Sequence, residues 1–180
     1  SPASSLAHAQ EMVDAIELLK RRGKKVMCHL EDAGGRELFV CSAADRIAIN
    51  PAGGIRFAGL SGRYFYLGGL MRKLGIQADF VRIGRHKLAP EQFVDGPSKT
   101  ARDDHKELLG EYEKIYLGQV GRGRKLKLAA AKKVIAKGPF IATEALDGQL
   151  VDQLVYEDEI NRFVRETVGF PGKVIDIKDR

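Results

Sequence analysis

Lys87 stands where a proton acceptor would be useful. It follows Ile83-Gly84-Arg85-His86 at the C-terminal end of a strand signal, Gln77–Ile83, and open α/β sheets place their sites at that edge. Arg82, Arg85 and His86 crowd it in sequence. Like charge and partial burial both push a lysine toward its neutral form, and a neutral amine takes a proton from a nucleophile without needing an imidazole. Arg85 and His86 equally suit a phosphate or carboxylate, and the bland alternative is an ordinary solvated basic loop. A matching nucleophile is harder to find. Cys28 and Cys41 each read as inert thiols among apolar neighbours and do not make a disulfide framework. No serine stands on a G-x-S-x-G turn. His8 reads as a helix-surface residue and His29 as packed or paired in its strand. Together with His86 and His105 they lack H-E-x-x-H or paired-cysteine spacing, so no metal is expected. No P-loop and no G-x-G-x-x-G occurs. Gly121-Arg122-Gly123-Arg124 is expected after a helix rather than after a strand, so no nucleotide or other cofactor is expected.

The elements that must position Lys87 are those of a soluble α/β chain of 180 residues, 44% hydrophobic and 30% charged. Helix signals cover 6–22, 36–44, 62–74, 100–118 with Thr100 as cap, 126–137, 143–147 and 157–167. Strand signals cover Lys24–Leu30, Arg46–Ile49 and Gln77–Ile83. Continuous apolar strands alternating with helices predict a parallel sheet with flanking helices. The chain opens on a helix, so the sheet is expected to be truncated at its amino-terminal strands. One domain is expected over 1–180, with its core at about 6–168 and a tail at 169–180. No run of 18 apolar residues and no signal peptide is visible. Arg122, Arg124, Lys125, Lys127, Lys132, Lys133 and Lys137 hold much of the net charge of +6. They read as a solvated face; no nucleic-acid module accompanies them, so nucleic acid is not an expected partner.

Three segments carry a resemblance. Gly84-Arg85-His86-Lys87-Leu88-Ala89-Pro90-Glu91-Gln92-Phe93 resembles the G-x-[YH]-K-x-A-x-E-x-F lysine motif of SppA-type signal peptide peptidases (protease IV). Ser42-Ala43-Ala44-Asp45-Arg46-Ile47 and the following residues to Pro51 resemble that family's S-x-A-D-x-I-x-x-x-P segment. Glu144-Ala145-Leu146-Asp147-Gly148-Gln149-Leu150-Val151-Asp152 is similar to its E-A-L-x-x-G-L-V-D segment. Order and spacing fit over about residues 6–168. The resemblance implies a crotonase/ClpP-like α/β fold and a Ser–Lys dyad that cleaves remnant signal peptides. In the long two-repeat forms the amino-terminal repeat supplies the lysine, and Lys87 falls on that general-base position.

Two departures bear on the chemistry. The family's serine, in an A-S-G-G-Y segment, falls on Gly35, and the next position, which would lend a backbone N–H, falls on Arg36. The T-G-S-I-G segment is replaced by Ile55-Arg56-Phe57-Ala58-Gly59. The resemblance therefore implies the lysine-donating half of a serine endopeptidase, inactive alone, with Arg36, Arg85 and His86 as candidate site-lining residues. The serine would come from a missing carboxy-terminal repeat or a neighbouring subunit. A homo-oligomer, peptide substrates and proximity to the periplasmic face of an inner membrane are implied with it. Leu60–Tyr66 is the candidate for apolar surface left by the missing repeat, with core packing as the competing account of Tyr64 and Tyr66. A non-catalytic scaffold or regulatory relative, a crotonase-type acyl-CoA enzyme and a plain interaction module are the alternatives.

Overall fold

Ile47, Ala48 and Ile49 form an unbroken apolar run with no exposed surface, which is what a central parallel strand covered on both faces requires. The computed structural model describes residues 6–77, 79 and 92–169. Within them β1 (Met27–Leu30), β2 (Arg46–Ile49) and β5 (Gln153–Leu154) make a parallel sheet in the order β1-β2-β5. Cys28 pairs with Ile47 and Ala48 with Gln153. Alternation along β2 divides its side chains between two cores. Ile47 and Ile49 join a large cluster with Val13 of α1 (Leu6–Arg21), Leu38 and Phe39 of α2 (Gly35–Cys41) and Val120 of α4 (Lys99–Gly123). Ala48 turns the other way, onto Val155 and Phe163 of α7 (Ile160–Val168). The α/β class with a small parallel sheet between helices is thus as expected.

The remaining elements are β3 (Gly54–Ile55), α3 (Gly68–Lys73), α5 (Leu128–Ile135), β4 (Phe140–Ile141), α6 (Ala142–Asp147) and a 3-10 turn at Glu157–Glu159. β3 and β4 pair antiparallel, Gly54 with Ile141 and Ile55 with Phe140. Two-residue strands carry no periodicity, so nothing in the sequence marks them. The chain divides into two compact units, one spanning Ser1–Gly59 and Tyr116–Arg180, the other Leu60–Ile115.

Several local expectations change. The Sγ atoms of Cys28 and Cys41 are joined in a disulfide, with Cα atoms 5.6 Å apart. They are not inert thiols: the chain reversal from β1 into α2 brings them face to face. α4 continues through Gly121–Gly123, so those glycines lie in a helix, not after one. A Cβ on Gly123 would stand 1.9 Å from the carbonyl oxygen of Ser42; packing, not a turn, demands glycine there. The α4 cap is Ser98, whose Oγ accepts the Ala101 N–H at 3.1 Å. In the smaller unit, α3 is confined to Gly68–Lys73. Its entry is set by pairing with 92–94, Leu67 N–H donating to Gln92 O at 2.6 Å and Gly68 N–H to Val94 O at 3.0 Å. Leu60, Tyr64 and Phe65 are exposed there, Phe65 at 73%, and Tyr64 stacks on His105 with ring centroids 3.5 Å apart. The strand expected at 77–83 and the tail from 170 fall largely or wholly outside the described residues. Among the described residues no helix is long and apolar enough to cross a membrane.

Candidate active site

Gly35 opens α2 immediately after a loop that leaves the C-terminal end of β1. Loop 31–34 is tied to β3: Ala33 N–H donates to Gly54 O at 2.9 Å and Arg56 N–H to Ala33 O at 2.7 Å. Asp32 accepts the Gly54 N–H at 3.1 Å and pairs with the Arg56 guanidinium. The Gly34 N–H donates to Glu37 Oε2 at 3.0 Å, so the first turn of α2 is capped from within.

The side chain of Arg36 is turned onto Glu37, with Nη2 3.0 Å from Oε1. Burial alone would raise the Glu37 carboxyl. Its own amide, Arg36 and the Gly34 amide outweigh that and hold it below the ordinary glutamate range. Tyr116, on α4, reaches over α2 and donates its hydroxyl to Gly35 O at 2.8 Å. Burial, and then the neighbouring Glu37 charge, push that phenol far above its usual range, so it serves as a donor, never as a base at neutral pH. Phe57 lies against the Tyr116 ring, centroids 4.6 Å apart, and Phe39 closes the group at 5.6 Å. Position 35 itself carries no hydroxyl or thiol.

The two family-like segments nearby hold the fold together. Ser42 is fully buried; its Oγ donates to Phe39 O at 2.6 Å and accepts from Gln119 Nε2 at 3.2 Å. Asp45 Oδ2 accepts the Val26 N–H at 2.8 Å. From the later segment, Glu144 Oε2 accepts the Ile141 N–H at 3.1 Å and caps α6. Asp152 Oδ2 accepts the Ile47 N–H at 2.7 Å and the carboxylate takes both arms of Arg124, at 2.9 and 2.8 Å. Burial opposes its charge, yet Arg124, the Ile47 amide and Arg46 keep its carboxyl below the ordinary aspartate range. Arg124, one of the residues expected on a solvated basic face, is largely buried in this pair, at 8% exposure. The S-x-A-D and E-A-L-x-x-G-L-V-D segments meet at β2, and the bond from Ile47 to Asp152 joins them.

Lys87, Arg85 and His86 lie outside the described residues. Gln77 and Phe93, from the described stretches on either side of that segment, both line a cleft of about 460 Å³ in the smaller unit, with Met71, Arg72 and Asp95. Of the described histidines, His29 Nε2 is 2.8 Å from Val155 O, His105 stacks on Tyr64, and His8 lies on the exposed surface of α1 with Nδ1 3.6 Å from Glu11 Oε2. Among the described residues no group of three or more His, Cys, Asp or Glu side chains could hold a metal ion. Two residues of this site escape sequence reasoning. Tyr116 reads as one more apolar member of a helix stripe, and Phe57 only as part of a replaced segment. For Phe57 the signal is an aromatic residue standing where the compared segment has a serine; Tyr116 falls on none of the compared segments.

Comparison with known proteins adds a family to this geometry. The family model described as peptidase family S49 matches residues 18–170. A protein named Protease 4 from Salmonella typhi is 26% identical over 165 residues, covering 87% of this chain and 27% of that protein. Protease 4 of Haemophilus influenzae is 29% identical over 128 residues, covering 68% of this chain and 21% of its own. A chloroplastic serine protease SPPA of Arabidopsis thaliana is 24% identical over 154 residues, covering 83% and 22%. The chain therefore spans about a quarter or less of the length of these relatives.

Proposed function

Because the chain belongs to peptidase family S49, matched over residues 18–170, we propose that it is the lysine-donating part of a Ser–Lys endopeptidase. In this reading Lys87 is the general base and the attacking serine resides on another repeat or subunit. The observation that carries the reading is Gly35. The chain shares the family's sequence over most of its length, yet the α2 terminus where the resemblance places the nucleophile holds a residue with no side chain. A unit that folds as a member but lacks the nucleophile makes chemical sense where the dyad is divided between segments.

The chemistry follows from the two halves. The neutral Lys87 amine accepts the proton of the serine hydroxyl as its oxygen attacks the scissile carbonyl, and the resulting ammonium returns the proton to the leaving amine. Water then hydrolyses the acyl ester with Lys87 again as base. Nucleophile and base must come within about 3 Å, so the isolated chain hydrolyses no peptide. The crotonase/ClpP-like class, an amino-terminal repeat of a two-repeat form, a homo-oligomer, remnant signal peptides as substrates and a position at the periplasmic face of the inner membrane belong to the same proposal. They are supported by the motif match and by relatives bearing the names of proteases.

The test is peptide hydrolysis by the full-length parent protein. Lys87→Ala abolishes turnover, and Lys87→Arg, which keeps the charge but cannot serve as base, does the same. Retained turnover in either variant removes Lys87 from the dyad. An unaltered full-length protein that neither cleaves peptides nor is labelled by a fluorophosphonate supports the scaffold alternative instead.

A further inference from the structure

We infer that Phe57 fills the volume a side chain at position 35 would occupy, so that the nucleophile position of this unit is packed shut and not merely stripped of its hydroxyl. Naming position 35 a nucleophile position rests on the Ser–Lys reading; the packing itself does not. A Cβ on Gly35 would come 2.6 Å from Cδ2, 2.7 Å from Cε2 and 3.1 Å from Cγ of Phe57. Carbon atoms pack at roughly 3.5–4.0 Å, so a serine has no room there while the ring is in place.

The half-buried ring is held on its inner side and along its main chain. Tyr116 backs it at 4.6 Å and is itself anchored by its 2.8 Å bond to Gly35 O. Behind Phe57, the main chain is pressed against Gly138: a Cβ there would lie 2.0 Å from the Phe57 carbonyl oxygen. On the other side the Arg56 N–H, bonded to Ala33 O at 2.7 Å, fixes the register between the loop before α2 and the segment after β3. Two departures from the family pattern, glycine for serine at 35 and phenylalanine in the replaced T-G-S-I-G segment, are therefore in contact. They form one exchange of volume, small for large. Restoring serine at 35 alone does not rebuild a nucleophile in this unit; position 57 must shrink with it.

Thermal unfolding of Gly35→Ser, Phe57→Ser and the double variant tests this. Gly35→Ser alone lowers Tm by roughly 3–10 °C, the range for overpacking a closed site. Phe57→Ser also lowers Tm, through lost ring burial. Adding Gly35→Ser to it costs no further loss beyond about 1 °C, because the clash is gone. If Gly35→Ser does not fold, recovery of a cooperative transition in the double variant supports the exchange; where Phe57→Ser does not fold, Phe57→Leu takes its place. A Gly35→Ser protein as stable as its parent, two losses that simply add, or a double variant that stays unfolded while its Phe57 parent folds overturns the inference. Peptide hydrolysis is not read in this experiment, so failure of the Ser–Lys assignment leaves its outcome unaffected.

Discussion

Two regions of the larger unit answer to family segments in opposite ways. At the junction of β2 with α4 and α6, the polar residues of the resemblance are present and each has a structural task. Asp45 holds the Val26 amide, Ser42 links α2 to α4, Glu144 caps α6 and Asp152 gathers Ile47 and Arg124. At the start of α2, where the resemblance places chemistry, position 35 has no hydroxyl and the Phe57 ring, backed by Tyr116, takes up the space. Buried charge and buried hydroxyls cost free energy unless they are paired, so the first region tolerates little change. An apolar plug needs only volume. The contrast teaches that in this unit the family match rests on the parts that fold it, while the position where the resemblance places the nucleophile packs against Phe57.

That contrast predicts an order of sensitivity. Asp152→Ala should do most damage, because it leaves the largely buried Arg124 without its counter-charge and the Ile47 amide without an acceptor; about 3–5 kcal/mol of stability should be lost in urea unfolding. A loss below about 1 kcal/mol would reduce the junction to a surface ion pair.

Next comes the Cys28–Cys41 link, which closes a loop with a sequence separation of 13. Its removal by Cys28→Ser should cost about 2–3 kcal/mol, and thiol titration of the untreated protein should find neither cysteine free. Tyr116→Phe is smaller. It removes the bond to Gly35 O but keeps the ring stack, for about 1 kcal/mol, and a much larger loss would mean that the hydroxyl, not the ring packing, secures the site.

The subtlest test is acid. Asp152 and Glu37 both have carboxyls held below their ordinary range. The unfolded chain therefore takes up their protons at higher pH than the folded one. Their stabilisation is complete above the unfolded carboxylate range and fades as pH falls through the folded values. Urea midpoints measured from neutral pH downward should drop, and Asp152→Asn should flatten that slope more than Glu37→Gln. Glu37 is more exposed, 38% against 24%, and its pair is better screened. Equal flattening by both would erase the distinction between the two regions.

Long apolar periodicities are legible in the residue order. The expected helices at 6–22 and 126–137 agree with α1 and α5 to within two residues, and the strand at Arg46–Ile49 matches β2. Expectation and structure part where partners distant in sequence decide the outcome. The glycines at 121 and 123 suggest a loop, but both lie in α4, and at 123 the close approach of Ser42 leaves room for glycine alone. Residues 62–67 look like the start of a helix, but pairing with 92–94 fixes where α3 begins. The two cysteines carry no pairing signal, since only the turn from β1 into α2 brings them together.

At the candidate site, the missing hydroxyl at Gly35 is visible from the residue type, whereas the ring that occupies its place is not.

From residue order alone come the α/β class, the parallel character of the sheet, the family segments and the lack of a nucleophile at position 35. All of these depend on residue type and near-neighbour spacing, which a linear string carries. Tertiary structure alone determines that Asp152 and Arg124 meet, that Cys28 faces Cys41, and that Phe57 lies where a side chain on Gly35 would go. Each is a contact between segments far apart in the chain, and such contacts are set by how helices and strands pack, which local spacing does not encode.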